Sequence, residues 1–333
     1  MLTIQTLDAH TGGEPLRLII SGFPEPQGTT MLERREWLRE SHDDLRTAIM
    51  LEPRGHDDMY GALLTPPERQ DSDAGVLFMH NEGYSTMCGH GVIAVTTLII
   101  ERGLLPTRQQ DVLVLDTPAG PIHARADVER DGARIRVRSV SFRNVPSFVL
   151  HAGLPVRING RDLRADVAFG GAFYAIVDSE AAGIPVIGRR LHDLRTAGMA
   201  IKDAVEATVR VEHPLEPALQ GIYGTIFTAP ASNDTADLRN VTVFADAEVD
   251  RSPCGTGTCA VMAVLAAMGL LPPEQTFTHE SIIGSRFKGR VVGELTVGEL
   301  PAIVPEIAGD AYLTGEHTFL IDERDPFAYG FRL

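Results

Sequence analysis

Residues 88–106 of the chain read CGHGVIAVTTLIIERGLLP, and residues 254–272 read CGTGTCAVMAVLAAMGLLP. The two stretches align without a gap, and nine of their nineteen positions are identical, including the first cysteine, two glycines and the closing Gly-Leu-Leu-Pro. Their cysteines lie 166 positions apart, half the length of this 333-residue chain. A period this long indicates a duplicated domain, because the units of solenoid proteins span only about 20–50 residues.

A fainter repeat lies upstream of each cysteine. Residues 11–19 read TGGEPLRLI and residues 169–177 read FGGAFYAIV, and in both a Gly-Gly pair leads into an apolar run. Together with the stronger repeat, this similarity predicts two copies of one α+β unit.

Each cysteine segment has the pattern of a buried helix. A glycine-rich loop, Cys-Gly-X-Gly, is followed by about a dozen apolar residues and then by glycine and proline, which commonly end a helix. The length and alanine content of the second segment favour a helix over a strand. Both cysteines are therefore expected just before, or on the first turn of, a buried helix.

Elsewhere the patterning favours short strands. One further helix is indicated over residues 33–50, where Leu38, Leu45 and Ile49 follow helical spacing. This mixture predicts α+β lobes and not a series of regular βαβ units. The segments that are β-branched or alternating and bounded by turn residues are 112–115, 122–126, 134–137, 173–177, 241–244, 311–313 and 318–321.

Composition excludes several classes of protein. The chain has 30 Lys and Arg against 45 Asp and Glu, a net charge of −15, and lacks the basic clusters that nucleic-acid binding requires. Its apolar stretches, such as 92–100, fall well short of the ~20 residues that cross a bilayer. The N-terminus has no pattern of a secretory signal, so a cytoplasmic protein without membrane or nucleic-acid partners is expected.

The three cysteines do not form a disulfide or zinc pattern. Their number is odd, and Cys254 and Cys259 lie five positions apart with no second close pair to complete a metal site. We therefore expect no structural metal. Cys259 lies within the apolar helix and has isoleucine at its twin position, so it is interpreted as a small buried apolar residue.

Cys88 and Cys254 are the candidate catalytic residues. A thiol at a helix N-terminus faces unpaired N–H groups and the positive end of the helix dipole, which together lower its pKa and also attract anions. Two such units that face each other would bring two thiols, and two sets of N–H groups suited to binding a carboxylate, to one ligand. That geometry suits removal of the α-proton of an amino acid on one face and its redelivery on the other.

The two cysteine motifs resemble those of a known family. Residues 87–91 (MCGHG) and 250–257 (DRSPCGTG) are similar to the two active-site motifs of the proline racemase superfamily. That superfamily contains proline racemases, 4-hydroxyproline 2-epimerases and trans-3-hydroxy-L-proline dehydratases. The resemblance extends to residues 8–15, 52–59 and 282–289 and so covers most of the chain.

The resemblance implies an α+β fold like that of diaminopimelate epimerase. It has two pseudo-symmetric lobes, each a barrel-like sheet around a central helix, with the active site in the cleft between them. The first lobe is expected over 1–130, with a C-terminal strand near 318–333 as its candidate completion. The second lobe is expected over 131–317.

The family's site residues transfer to matching positions. By resemblance, Cys88 and Cys254 are the acid/base pair, Asp250 holds the ring amine, and no metal or organic cofactor is needed. Family enzymes often form dimers, so a homodimer is expected, and the ligand is proline or hydroxyproline. The backbone positions implied to hold the substrate carboxylate are Gly89 and His90 in the first loop, and Gly255 and Thr256 in the second.

Two activities within the family stay open. The second cysteine favours a racemase or epimerase, most like 4-hydroxyproline 2-epimerase, because inversion needs a proton from the opposite face, and 3-hydroxyproline dehydratases typically carry threonine there. Residues 81–88 and 222–228 look more like the dehydratase branch, which makes trans-3-hydroxy-L-proline dehydratase the alternative. A thiol redox protein and a non-catalytic amino-acid-binding protein are the remote alternatives.

Overall fold

A computed structural model describes residues 1–132, 134–158 and 160–332. Its strands, in chain order, are β1 (Leu2–Thr11), β2 (Glu14–Ser21), β3 (Tyr60–Thr65), β4 (Ala74–His80), β5 (Tyr84–Ser85), β6 (Val112–Thr117), β7 (Gly120–Asp131), β8 (Arg134–Arg143), β9 (Ser147–Ile158), β10 (Arg161–Phe169), β11 (Phe173–Asp178), β12 (Ile222–Pro230), β13 (Leu238–Phe244), β14 (Glu248–Asp250), β15 (Phe277–Glu280), β16 (Arg286–Val297), β17 (Leu300–Gly309) and β18 (Ala311–Ile321). The helices are α1 (Met31–Ser41), α2 (Asp43–Met50), α3 (Gly89–Arg102), α4 (Ser179–Ala182), α5 (Leu191–Glu206) and α6 (Gly255–Ala267), with a 3₁₀ turn at Gly188–Arg190.

The chain divides into two compact units. Unit 1 comprises Met1–Phe142 together with Asp310–Leu333, and unit 2 comprises Arg143–Gly309. The boundaries expected from the sequence were 130 and 317. The difference arises because β8 continues unit 1 beyond residue 130, and because β18 begins at Ala311 and pairs along its length with β1.

Unit 1 is a curled sheet around helix α3. Strand β1 pairs antiparallel with β18 and β2, β2 runs parallel to β3, and β3 pairs antiparallel with β4. The sheet continues through β6, parallel to β4, and β7, antiparallel to β6. Helix α3 contacts β1, β2, β3, β7 and β18, and every residue from Gly89 to Ile100 is buried.

Unit 2 is a closed barrel around helix α6. The strands pair in the order β9, β10, β11, β12, β13, β15, β16 and β17, and β17 returns to pair with β9. Helix α6 contacts β9, β10, β11, β16 and β17, and its first nine residues are buried. Both units therefore wrap a barrel-like sheet around a central helix, as the family resemblance implied.

The predicted central helices are confirmed at both ends. Helix α3 begins directly after Cys88 and ends at Gly103, which has a left-handed backbone (φ 60°) and donates its N–H to the Ile99 carbonyl. Helix α6 begins directly after Cys254, and the chain turns at Gly269 (φ 71°). Glycine adopts this conformation without steric cost, which explains the glycine that opens the shared Gly-Leu-Leu-Pro ending.

The structure corrects the extent of three other predicted segments. Residues 33–50 form two helices and not one, because His42 leaves the helical conformation (φ −145°) and Asp43 and Asp44 supply the acidic first turn of α2. The segments 311–313 and 318–321 are parts of the single strand β18, since pairing with β1 carries the strand across the polar residues between them.

A buried arginine joins three parts of unit 1. Arg17 of β2 lies opposite Asp8 of β1, and its guanidinium donates to both carboxylate oxygens at 2.8–3.1 Å. It also donates to the carbonyls of Ile49 (2.7 Å) and Arg54 (2.6 Å), and packs 4.3 Å from the ring of Phe319. Two segments that carry the family resemblance, 8–15 and 52–59, therefore meet at this side chain.

Candidate active site

Cys88 is the N-cap of helix α3. Its Sγ accepts the N–H of Gly91 at 3.2 Å and lies 3.2 Å from Nδ1 of His90. A side chain at position 91 would meet this sulfur at 3.0 Å and the ring of Phe78 at 2.5 Å. Glycine is thus required for the sulfur to reach the helix N-terminus.

His90 connects the Cys88 loop to the rest of unit 1. Its ring packs edge-on against Tyr60 (4.8 Å between centroids), and its carbonyl accepts the hydroxyl of Thr11 at 3.0 Å. Thr11 immediately precedes the Gly-Gly pair at 12 and 13. The upstream repeat seen in the sequence therefore supports the cysteine loop directly.

Cys254 is the N-cap of helix α6 and has a strained backbone. Its Sγ accepts the N–H of Gly257 at 3.3 Å, as Cys88 does from Gly91. Its φ is +63°, whereas that of Cys88 is −142°. Positive φ is sterically unfavourable for a residue with a side chain, so the surrounding structure must hold it there.

Two hydroxyls lie beside the Cys254 sulfur. The Tyr174 hydroxyl is 2.6 Å from the Thr256 hydroxyl and 3.7 Å from Cys254 Sγ. The Thr256 hydroxyl is itself 3.8 Å from the sulfur. Tyr174 lies on β11 and is fully buried, so its hydroxyl cannot reach solvent.

Asp250 places a buried carboxyl near the same thiol. Its Oδ1 accepts the N–H of Ser252 at 2.8 Å, and the Ser252 hydroxyl accepts the N–H of Cys254 at 3.1 Å. Burial raises the pKa of the Asp250 carboxyl. Burial, together with the negative charge of Asp250, also raises the pKa of the Cys254 thiol.

That shift corrects one expectation from the sequence. A helix N-terminus was expected to lower the pKa of each cysteine, and the N–H of Gly257 does so for Cys254, but the net shift of its pKa is upward. The hydrogen bonds that Cys254 receives do lower its pKa, but desolvation and the Asp250 charge outweigh them. The sequence could not reveal this balance, because it depends on how deeply the loop is buried.

A second layer of buried side chains holds the Cys254 loop. The Pro253 carbonyl accepts the side-chain amide of Asn240 at 2.8 Å and the hydroxyl of Thr258 at 3.1 Å. The Thr258 hydroxyl is also 2.9 Å from Nδ1 of His279. All three of these side chains are fully buried. Their contacts fix the carbonyl that precedes the strained cysteine.

His279 should make the stability of unit 2 depend on pH. Burial lowers its pKa to about 3, against about 6.5 in an unfolded chain. Its contribution is complete above pH 6.5 and is lost as the pH falls towards 3, because only the unfolded state gains the proton. At pH 5 the loss is about 2 kcal/mol.

Thermal unfolding at pH 7.5 and pH 5 tests this prediction. His279→Gln should weaken the dependence on pH, whereas His123→Gln, at an exposed position, should leave it unchanged. An equal drop in the melting temperature in wild type and His279→Gln would contradict the prediction.

The structure groups the predicted site residues by unit. Cys88, Gly89 and His90 lie together at the start of α3, and Asp250, Cys254, Gly255 and Thr256 lie together at the start of α6. Cys259 is fully buried within α6, as predicted. The neighbours that sequence reasoning missed are Tyr174, Asn240, Thr258 and His279. Of these, only Tyr174 carried a signal, its position just after the second Gly-Gly pair.

Comparison with known proteins identifies the family. The model of the proline racemase family matches residues 6–332. A trans-3-hydroxy-L-proline dehydratase of Bacillus cereus is 48% identical over 98% of this chain and 97% of its own length. A 3-hydroxyproline 2-epimerase of Burkholderia multivorans is 44% identical over 99% of this chain and 98% of its own length.

A solved structure agrees with these sequence matches. A hydroxyproline epimerase from Agrobacterium vitis, with trans-4-hydroxy-L-proline bound, superposes with a TM-score of 0.92 at 34% identity. The match covers 100% of this chain and 95% of that one. The chain belongs to the proline racemase family, and it is an enzyme.

In residues 1–132, 134–158 and 160–332, no helix is long and apolar enough to cross a membrane. Within the same ranges, no group of three or more His, Cys, Asp or Glu side chains is arranged to hold a metal ion.

Proposed function

We propose that the enzyme inverts the α-carbon of proline or hydroxyproline without a cofactor, with Cys88 and Cys254 as its acid/base pair. The observation that carries this proposal is that both halves of the duplicated chain keep a cysteine as the N-cap of a buried apolar helix. One thiolate removes the α-proton, and the other thiol delivers a proton to the opposite face.

The loop backbones would stabilise the carbanion. N–H groups at a helix N-terminus are suited to a carboxylate and also to the enediolate-like charge that forms when the α-proton leaves. The positions proposed for this role are Gly89 and His90 at the start of α3, and Gly255 and Thr256 at the start of α6.

Asp250 is proposed to hold the ring amine. A substrate ammonium at this carboxylate would neutralise the charge that raises the pKa of Cys254. Substrate binding would then remove the smaller of the two causes that disfavour the Cys254 thiolate, since burial is the larger.

The names of the relatives guide the choice of substrate. The sequence favoured a 4-hydroxyproline 2-epimerase, and the Agrobacterium vitis structure holds trans-4-hydroxy-L-proline. The two enzymes named above from Bacillus cereus and Burkholderia multivorans are both named for 3-hydroxyproline. We therefore propose a hydroxyproline as substrate, with the 3-hydroxy and 4-hydroxy isomers to be compared directly.

Dehydration of trans-3-hydroxy-L-proline is the second candidate. It is favoured by the 48% identity to the Bacillus cereus dehydratase. In that reaction a thiolate takes the α-proton, the C3–O bond breaks, and the hydroxyl leaves as water after gaining a proton. Only one base at the α-carbon is required, so the second cysteine would serve as the proton donor to the leaving group.

Proton NMR in D₂O separates these activities. The enzyme is mixed separately with L-proline, trans-4-hydroxy-L-proline and trans-3-hydroxy-L-proline. Formation of an α-deuterated, inverted isomer is expected and identifies the ring. Conversion of only the 3-hydroxy substrate to a pyrroline would establish the dehydratase. Failure to act on any of the three would contradict the proposed function.

Two expectations about the protein in the cell are proposed with this function. We propose a homodimer, which light scattering coupled to size-exclusion chromatography would detect. A cytoplasmic location is proposed as well, as suits an enzyme that acts on a free amino acid.

A further inference from the structure

The two cysteines have chemically different neighbours although their loops are copies. Two positions after each cysteine stands His90 in unit 1 and Thr256 in unit 2. The imidazole of His90 lies 3.2 Å from its cysteine sulfur, whereas the Thr256 hydroxyl lies 3.8 Å from its own. An imidazole can exchange a proton with a thiol near neutral pH, and a threonine hydroxyl cannot. Unit 2 therefore lacks the partner that unit 1 supplies within the loop.

Tyr174 lies beside Thr256, the weaker partner of Cys254. In the upstream repeat, Tyr174 aligns with Leu16 of unit 1, a fully buried residue without a polar group. The tyrosine is thus an addition to unit 2 and not a part of the shared architecture. Its ring also packs against Tyr223 at 5.9 Å, which fixes the direction in which the hydroxyl points.

The triangle of Tyr174, Thr256 and Cys254 leaves one hydroxyl proton within reach of the sulfur. The two hydroxyls are 2.6 Å apart, so one of them donates to the other. If Thr256 donates, the Tyr174 proton is directed to Sγ at 3.7 Å. If Tyr174 donates, the Thr256 proton faces Sγ at 3.8 Å. Because both side chains are buried, water does not compete for this proton.

The ionisation state of Tyr174 supports a donor role. Burial, followed by the negative charge of Cys254, raises the pKa of Tyr174 well above its usual value. The phenol therefore keeps its proton at any pH at which the thiol ionises usefully. The hydrogen bond from Tyr174 lowers the pKa of Cys254, in opposition to burial and to Asp250.

We propose that Tyr174, paired with Thr256, is a positioning residue that donates a hydrogen bond to the Cys254 sulfur and so stabilises its thiolate. Unlike the imidazole of His90, which can exchange a proton with the Cys88 thiol at 3.2 Å, the phenol acts through its hydrogen bond alone. This inference rests on the proposed function in one respect, that Cys254 acts as a base. The two thiols of the enzyme are then tuned by different groups, an imidazole in one unit and a phenol in the other.

Tyr174→Phe tests the inference, because it removes one oxygen and keeps the ring. A hydrogen bond to a charged group accounts for about a 10- to 100-fold difference in rate. We expect α-deuterium incorporation to fall by about that factor near neutral pH and to recover at high pH, where the thiol ionises without help. A loss of equal size at every pH, or no loss, would overturn the inference.

Alkylation provides a readout that does not depend on turnover. Iodoacetamide labelling across a pH series, resolved by mass spectrometry, gives a midpoint for each cysteine. Tyr174→Phe should raise the midpoint of Cys254 and leave that of Cys88 unchanged. An unchanged Cys254 midpoint would overturn the inference even if the wild-type enzyme proved inactive on every proline derivative. Inactivity itself would contradict only the proposed function.

Matched variants control for folding. Tyr84→Phe removes another buried phenolic oxygen, in unit 1, and should leave both midpoints and the rate unchanged. If Tyr174→Phe does not fold, Thr256→Val removes the other hydroxyl of the pair. The Tyr174 proton is then left with the Cys254 sulfur as its partner, so the midpoint of Cys254 should stay at or fall below that of wild type, and a raised midpoint would overturn the inference.

Discussion

Cys88→Ser and Cys254→Ser should each lower the rate of α-carbon inversion by about 10³-fold or more. Serine is nearly the same size as cysteine, but its hydroxyl ionises far less readily, so it can neither remove nor return the proton efficiently. Polarimetry or NMR with the preferred hydroxyproline measures the effect. Loss in both variants is required, since inversion uses a group on each face.

Cys259→Ala is the matched control for these variants. Cys259 lies on the same helix as Cys254 and is fully buried, yet it has no cysteine twin in unit 1. Its replacement should leave the rate of inversion within a few-fold of wild type. Inversion that persists in Cys254→Ser would exclude the two-cysteine mechanism. If Cys254→Ser still removed water from trans-3-hydroxy-L-proline, dehydration with a single base would be favoured.

Arg17→Met should destabilise unit 1 by about 3–5 kcal/mol. The replacement keeps much of the apolar volume but leaves the buried Asp8 carboxylate without its arginine, with the Thr6 hydroxyl and the His317 ring as its remaining contacts. It also removes the donor from the carbonyls of Ile49 and Arg54. For units of this size, such a loss corresponds to a drop in melting temperature of about 10 °C. Calorimetry should resolve it.

An exposed ion pair offers the comparison for Arg17. Arg138 contacts Asp127 at 3.1 Å, but both side chains are more than half exposed. Arg138→Met should therefore cost no more than about 1 kcal/mol. If Arg17→Met and Arg138→Met melted at the same temperature, Arg17 would not be the side chain that holds β1, β2 and the segment around Ile49 and Arg54 together.

The duplicated cysteine segments predicted most of the architecture because their information is local. A glycine-rich start, an apolar run and a Gly-Leu-Leu-Pro end specify a buried helix wherever they occur, and both α3 and α6 have these features. The extent of the units was less predictable. Strand β18 pairs with β1 although the two strands lie at opposite ends of the chain. The sequences of the cysteine segments contain no information about this pairing.

The site was predictable for the loops and not for what surrounds them. Cys254 and Thr256 were identified from the motif, whereas Tyr174 and His279 reach the loop from distant strands. Identical Cys-Gly-X-Gly motifs also gave no hint that the two cysteines differ in backbone conformation. Contacts that the motif does not encode, such as the one from Asn240 to the carbonyl of Pro253, hold the backbone next to Cys254.

The left-handed backbone at Cys254 has a consequence for laboratory evolution. Glycine adopts a φ of +63° freely, whereas a residue with a side chain costs of order 1 kcal/mol or more there. A library sorted only for heat resistance would thus be expected to enrich glycine at position 254 and to discard the thiol. Thermal selection of this enzyme needs a simultaneous demand for turnover, because a strained backbone and the proposed catalytic thiol occupy the same residue.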